Sequence, residues 1–408
     1  MGRFSYVAAK ADGERVQAVK EASDAKAMAA SLRSAGLVPV SIREVGGRSI
    51  FAARKEKKKS GRPKLNDVAQ FIRQLSALLS AGVGLVSALD DLAKQQDKEQ
   101  FAAVIESVRA KVMGGAPLSA ALRDHPKVFS SLISAMVRAG EESGNLEGIM
   151  GDLATYLDSQ ITLRRKIRAA MSYPTFIAVF FVGAVTFMFV WLLPKFRTMF
   201  ESFRSGLPAI TKYALAFSSW LQHWFPLVFL CAIALGIFLK FALNTEKGAM
   251  IFDRLKLKVP LIGKLALKVV LVRFLETLAT LQRSGVPILM ALDIASSTAG
   301  NKVVEQELMR AKKAVMEGSF LSKELAKSPL FPRMMVRMLA VGEETGRMED
   351  MLKRAASYYK EEVDVAIQTL TSLIEPVLLV LMGVVVAFVV LSVYLPIFRL
   401  AGGMSGGG

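Results

Sequence analysis

Few side chains in this 408-residue chain could do chemistry, and they stand apart from one another. Its one cysteine, Cys231, lies inside an apolar run. A lone thiol closes no internal disulfide and reads as a small hydrophobe among lipid or packed side chains. The two histidines, His125 and His223, fall in different kinds of segment, and with one cysteine they cannot supply the four ligands of an ordinary zinc site. Neither a P-loop signature nor a Gly-x-Ser-x-Gly elbow occurs, and two isolated histidines leave a Ser-His-Asp constellation without support. No catalytic residue, metal or cofactor is expected, so the chain reads as a non-enzyme. The most concentrated acidic groups are Glu141-Glu142 and Glu343-Glu344, adjacent residues at helix ends rather than carboxylates converging across a cleft. Two readings stand for them: plain helix ends, or an acidic knuckle that docks basic residues of a partner.

The acidic pairs belong to a duplication. Setting residue 71 against residue 274 aligns FIRQLSALLSAGVGLVSALD with FLETLATLQRSGVPILMALD, pairing Gly82 with Gly285 and Asp90 with Asp293. After a one-residue shortening near Pro329, AGEESGNLEGIM aligns with VGEETGRMEDML. Gly140, Glu141, Glu142 and Gly144 then match Gly342, Glu343, Glu344 and Gly346, and Pro174 matches Pro376. Within a copy the period is helical: Phe71, Leu75, Leu78 and Leu79 share one face, Asn66 and Asp67 stand where an N-cap belongs, and Gly82 stands where a left-handed C-cap does. About six helices per copy are expected, broken at Gly114-Gly115, Pro126 and Gly144, the last running into an apolar run.

Three apolar runs follow from the 52% apolar composition. Thr175 to Leu193 and Pro376 to Leu395 carry no charge, each close to the ~20 residues that cross a bilayer core. Trp224 to Leu243 includes Pro226 and Lys240, the latter read as an anchor whose ammonium reaches the headgroups. The net charge of +18 suits cytosolic domains against an anionic membrane face better than nucleic acid, for which no motif is present. Flanking cations and the cluster Trp191, Trp220 and Trp224 orient the spans with the N-terminus in the cytosol and the C-terminus outside.

The expected order is a ββαβ domain at 1–46, a basic linker at 47–64, a first cytosolic bundle at 65–172 and a span at 173–193. An extracytoplasmic loop at 194–223, a second span at 224–243, a second cytosolic bundle at 244–375, a third span at 376–395 and a glycine-rich tail at 396–408 complete it. In the N-terminal part, alternating Phe4, Tyr6 and Ala8 and the turn Asp12-Gly13 predict a hairpin. The fold class is therefore mainly α and membrane-embedded, with two repeated six-helix bundles and three transmembrane helices.

The doubled layout, the GEESG and GEETG turns, Tyr-Pro or Glu-Pro opening a span, and LPKF and LPIF closing it resemble the inner-membrane platform proteins of type II secretion systems and type IV pilus machines. The resemblance covers almost the whole chain. It implies a bacterial inner-membrane scaffold between a cytosolic hexameric ATPase and pilin or pseudopilin subunits, with alignment-complex proteins, the lipid bilayer and further copies of itself as partners. A transporter or channel subunit is the alternative. Against it, spans one and three hold no Asp, Glu, Lys, Arg or His, and the parallel repeat differs from the inverted repeats of many transporters.

Overall fold

A computed structural model describes residues 2–9, 15–44, 61–196, 208–243 and 245–404. The expected Asp12-Gly13 turn, most of the basic linker and the end of the glycine-rich tail lie outside these residues. The chain divides into two compact units, one ending at Lys59 and the other beginning at Ser60.

The first unit is a three-stranded antiparallel sheet with one helix. Strands β1 (Gly2–Ala9), β2 (Arg15–Ala22) and β3 (Val38–Glu44) lie in the order β2-β1-β3, and helix α1 (Ala25–Ser34) precedes β3. Asp24 caps α1 by accepting from the Ala27 amide at 2.7 Å. Met28 and Leu32, one turn apart, bury against Tyr6, Ala22, Leu37 and Ile42.

The second unit is helical throughout its described part. The first repeat contributes α2 (Leu65–Ser80), α3 (Leu85–Gln95), α4 (Glu99–Met113), α5 (Leu118–Arg123), α6 (Ser131–Ser143) and α7 (Leu146–Phe187). After α8 (Ala209–Leu243) and α9 (Glu246–Lys258), the second repeat gives α10 (Ile262–Arg283), α11 (Ile288–Thr298), α12 (Lys302–Met316), α13 (Leu321–Leu325), α14 (Arg333–Thr345) and α15 (Met348–Met404). Val68, Phe71, Ile72 and Leu75 form the buried face of α2, and Phe71, Phe101 and Phe129 pack ring to ring. Lys64 rather than Asn66 is the N-cap of α2, and Asp67, three positions on, accepts from the Lys64 amide at 2.5 Å. Gly82 and Gly285 have φ of +80° and +76°. The amides after them, Val83 and Val286, reach back to the carbonyls of Leu78 and Leu281, each at 3.0 Å, closing the helix ends as left-handed caps do.

The two copies are not independent bundles. One continuous buried cluster runs from Val68 to Leu163 in the first repeat and from Val269 to Ile367 in the second. Out of this shared core rise α7 and α15, the two helices long and apolar enough to cross a membrane among the described residues. Neither breaks at its prolines: Pro174 lies inside α7, and Pro376 and Pro396 lie inside α15. The expected boundaries at 172/173 and 375/376 therefore fall within single helices.

Proline donates no amide and pushes against the carbonyl four residues back, so a helix that continues through it must house a freed carbonyl. Ahead of Pro194 the chain widens into a π-turn at Met188–Leu192. The Val190 carbonyl, four residues before Pro194, accepts from Gln222 Nε2 at 2.6 Å. The Ser392 carbonyl, four residues before Pro396, accepts from Thr211 Oγ1 at 2.9 Å. Both donors stand on α8, so residues 209–223, expected as part of a loop, are helical and pack on the ends of the other two apolar helices. Phe189, Leu193, Ala214 and Val389 are buried at that junction. The expected second span falls on the rest of α8, where the side chain of Lys240 lies outside the described residues.

Candidate functional site: the repeated acidic corner and the seam between repeats

Each GEE(S/T)G motif makes a corner between two helices, α6 to α7 and α14 to α15. A Cβ added at Gly140 would come within 3.1 Å of Ile149 Cβ and the Leu146 Cα, and one at Gly342 within 3.1 Å of the Met348 Cα and Met351 Cβ. The first glycine thus lets the two helices approach. The last glycine turns the chain, with φ of +70° at Gly144 and +68° at Gly346.

The two glutamates of each pair do different work. Glu141 is half-buried and accepts from the amides of Leu118 and Ser119 and from the Ser119 hydroxyl. It caps α5 from another helix, supplying the acceptor that Pro117 at the cap position cannot. Glu343 does the same for α13, accepting from the amides of Leu321 at 2.6 Å and Ser322 at 3.1 Å. Glu142 is exposed and, among the described residues, takes only Arg138, one turn back, at 2.7 Å. Glu344 is exposed, with no hydrogen bond or ion pair among the described residues. The first glutamate of each pair is therefore occupied inside its own repeat, and the second faces outward.

A second polar cluster joins the repeats. Glu276 on α10 accepts from Ser159 Oγ at 2.7 Å and Gln160 Nε2 at 2.9 Å on α7, and pairs with Lys360 on α15 at 3.4 Å. Tyr156 and Thr277 share a hydroxyl hydrogen bond at 2.9 Å, and burial pushes the Tyr156 phenol above its ordinary value. Arg283 reaches Asp152 at 3.2 Å. Glu276 and Lys360 stand at the positions of Arg73 and Asp158, which pair in the first repeat with the charges exchanged. Arg273, beside Arg164, is held below its usual value by burial and by that like charge. Sequence reasoning did not single out this cluster, because its members are spread over three helices and two repeats and no local spacing joins them.

Between α5, α6 and α11 lies an open cleft of 630 Å³ lined by Arg123, Ser134, Arg138 and Asp293 among others. Its polar groups are mixed in sign, and the one hydroxyl–carboxylate pair among its described lining residues, Ser119 with Glu141, belongs to the cap of α5. His125 Nε2 bonds Ser107 Oγ at 3.1 Å, His223 packs edge-on to Trp224, and Cys231 is exposed. Among the described residues, no three of His, Cys, Asp and Glu converge as metal ligands. The geometry is that of a rigid helical block with outward acidic corners.

Residues 71–194 and 274–396 each match the family described as Type II secretion system (T2SS), protein F, and residues 1–43 match its N-terminal domain. The chain belongs to this family. A protein named Type IV pilus assembly protein PilC from Thermus thermophilus is 39% identical over 98% of this chain and 99% of its own length. A PilC protein of Myxococcus xanthus is 36% identical over 98% of the chain and 95% of its own length. The Type II secretion system protein F of Vibrio cholerae is 33% identical over 99% of the chain and all of its own length. The two family matches coincide with the two repeats, each from the first long core helix to the proline near the end of an apolar helix. The α8–α9 segment stands between them.

Proposed function

We propose that this chain is the platform protein of a type IV pilus or type II secretion machine, a membrane scaffold without catalytic activity. It couples a cytosolic hexameric ATPase to the insertion of pilin or pseudopilin subunits. The observation that carries this is near-full-length identity to proteins named for those two systems. The fold suits such coupling, because one shared core is continuous with two apolar helices and a push on either repeat moves both. A transporter reading lacks what it needs, since spans one and three carry no Asp, Glu, Lys, Arg or His inside the apolar run.

In this reading α7, α8 and α15 cross the bacterial inner membrane, with the N-terminus and both repeats in the cytosol and the C-terminus outside. Glu142 and Glu344, one on each corner, dock the ATPase or an alignment-complex protein. Glu141 and Glu343 hold the corners in shape. The molecule works as a dimer or higher assembly. In a strain depleted of the native gene, Glu142→Lys with Glu344→Lys should abolish fibre assembly and ATPase recovery while the chain still accumulates and melts normally. Undiminished assembly would overturn the docking role. Assembly restored by a chain lacking residues 60–408 would overturn the platform role itself.

A further inference from the structure

We infer that α9 and the turn after it form an interfacial foot that seats the second repeat on the headgroups of an anionic bilayer. This goes beyond the three-span reading above and rests on it. Helix α9 begins directly beyond the apolar helix α8 and buries none of its described side chains. Its side chains are nevertheless not polar all round. Ile251, Leu255 and Val259 recur every four residues with Phe252 beside them on the same side, and Ile251 and Leu255 are 70% and 60% exposed. A helix that leaves such a stripe in water would forfeit the apolar burial that stabilises helices.

Charge is segregated around this stripe. Asp253, on the opposite face, accepts from the Lys302 amide at 2.7 Å at the start of α12, and Glu246 acts electrostatically on the Lys302 ammonium. Both acidic residues of α9 thus serve the second repeat. Four cations remain for the other sides: Lys247, Arg254, Lys256 and Lys258. An apolar stripe flanked by cations is the pattern of a helix lying in the plane of an anionic membrane surface.

The turn beyond α9 presents further apolar side chains. Leu261 has φ of +65° and ψ of −58°, with the Ile262 amide bonded to the Pro260 carbonyl at 2.8 Å. It has the only positive φ at a non-glycine among the described residues. This strained three-residue turn is rare for a bulky side chain, and here it holds Leu261 and Ile262 about half-exposed. Both ends of α9 are also clamped. A Cβ at Gly248 would collide with the Ala242 carbonyl oxygen, and one at Gly263 with that of Leu257. The apolar face is therefore held in one direction, with no neighbour among the described residues to cover it. Its place directly after α8, which the three-span reading puts in the bilayer, makes lipid the occupant.

The test uses the full chain in vesicles, in a Cys231→Ser background, with one fluorescent probe at a time at Leu255→Cys, Lys313→Cys or Val380→Cys. Lys313 is exposed on α12, and Val380 is exposed on the apolar part of α15. Shallow nitroxide lipids should quench the Leu255 probe several-fold more than the Lys313 probe. The effect should be stronger in phosphatidylglycerol than in phosphatidylcholine vesicles, and Lys247→Glu with Lys258→Glu should weaken it. A Leu255 probe open to aqueous iodide and untouched by the lipids would overturn the inference. So would shielding that grows with protein density and not with anionic lipid, which would assign the face to a second copy. If Val380 too escapes lipid quenching, the membrane reading fails; if only Leu255 does, the foot alone fails.

Discussion

At the residue scale, the repeated acidic pair separates a structural carboxylate from an outward one. Glu141→Ala leaves the first amides of α5 without their acceptor, and a lost N-terminal cap of this kind costs about 1–2 kcal/mol. Glu343→Ala should cost a similar amount through α13. Glu142→Ala removes one exposed ion pair on its own helix and should leave the melting temperature unchanged. Thermal melts of the detergent-solubilised chain check this ordering, and equal effects at Glu141 and Glu142 would contradict the assigned cap. The adjacency of the two glutamates suggested one shared role. Successive residues on a helix point about 100° apart, so one can reach a neighbouring helix end while the next faces solvent.

At the element scale, two features bind helices whose ends the sequence marked. Asp67 meets the Lys64 amide at one end of α2 and pairs with Lys98 at the start of α4. Burial alone would raise its pKa, and the bonds from Lys98 and Lys64 outweigh that, holding it below the ordinary 3.8. A carboxylate lowered on folding stabilises the fold fully above its unfolded value. That contribution disappears as pH falls below 3.8 through the lowered folded value. The stability gap between the native chain and Asp67→Asn should thus be full at pH 7 and close progressively below about pH 4, as read from denaturant titrations at several pH values. The second feature is α8. Thr211→Val and Gln222→Leu each strand a carbonyl freed by proline, at Ser392 and Val190, and each should cost about 1 kcal/mol in a bilayer. Steric trapping or denaturation in mixed micelles would measure it, with Ser219→Ala, whose hydroxyl bonds its own helix, as the unaffected control.

At the scale of the whole molecule, the two repeats share a core, so they should melt as one. Calorimetry of the full chain should give a single transition for both repeats, separate from any transition of the N-terminal unit; two transitions of repeat size would contradict the continuous cluster. Glu276 is largely buried at the seam, its side chain 15% exposed, and Glu276→Gln should cost about 1–3 kcal/mol by weakening charge-assisted bonds from both repeats. Arg73→Gln breaks the corresponding pair where both partners are exposed, and should cost at most about 1 kcal/mol. With the charges exchanged, Arg73 against Lys360 and Asp158 against Glu276 would be like-charge pairs, which disfavours cross-pairing of the ion pairs between repeats.

The amino-acid sequence by itself determined the duplication, the six-helix pattern of each copy, the glycine turns and the two long apolar helices. These are local: hydrophobic period, left-handed glycines and uninterrupted apolar length act within one element, and a repeat states them twice. It did not determine where helices stop at proline. Phe71 to Leu79 sets a buried face wherever the helix goes, but whether a chain passes Pro194 or Pro396 depends on Gln222 and Thr211 taking up the freed carbonyls from another helix. Nor did it determine that Glu141 caps α5, that Glu276 binds Ser159 and Gln160, or that Ile251 and Leu255 are left outward. Those facts belong to distances between residues far apart in sequence, and only the packing of the two repeats into one core sets them.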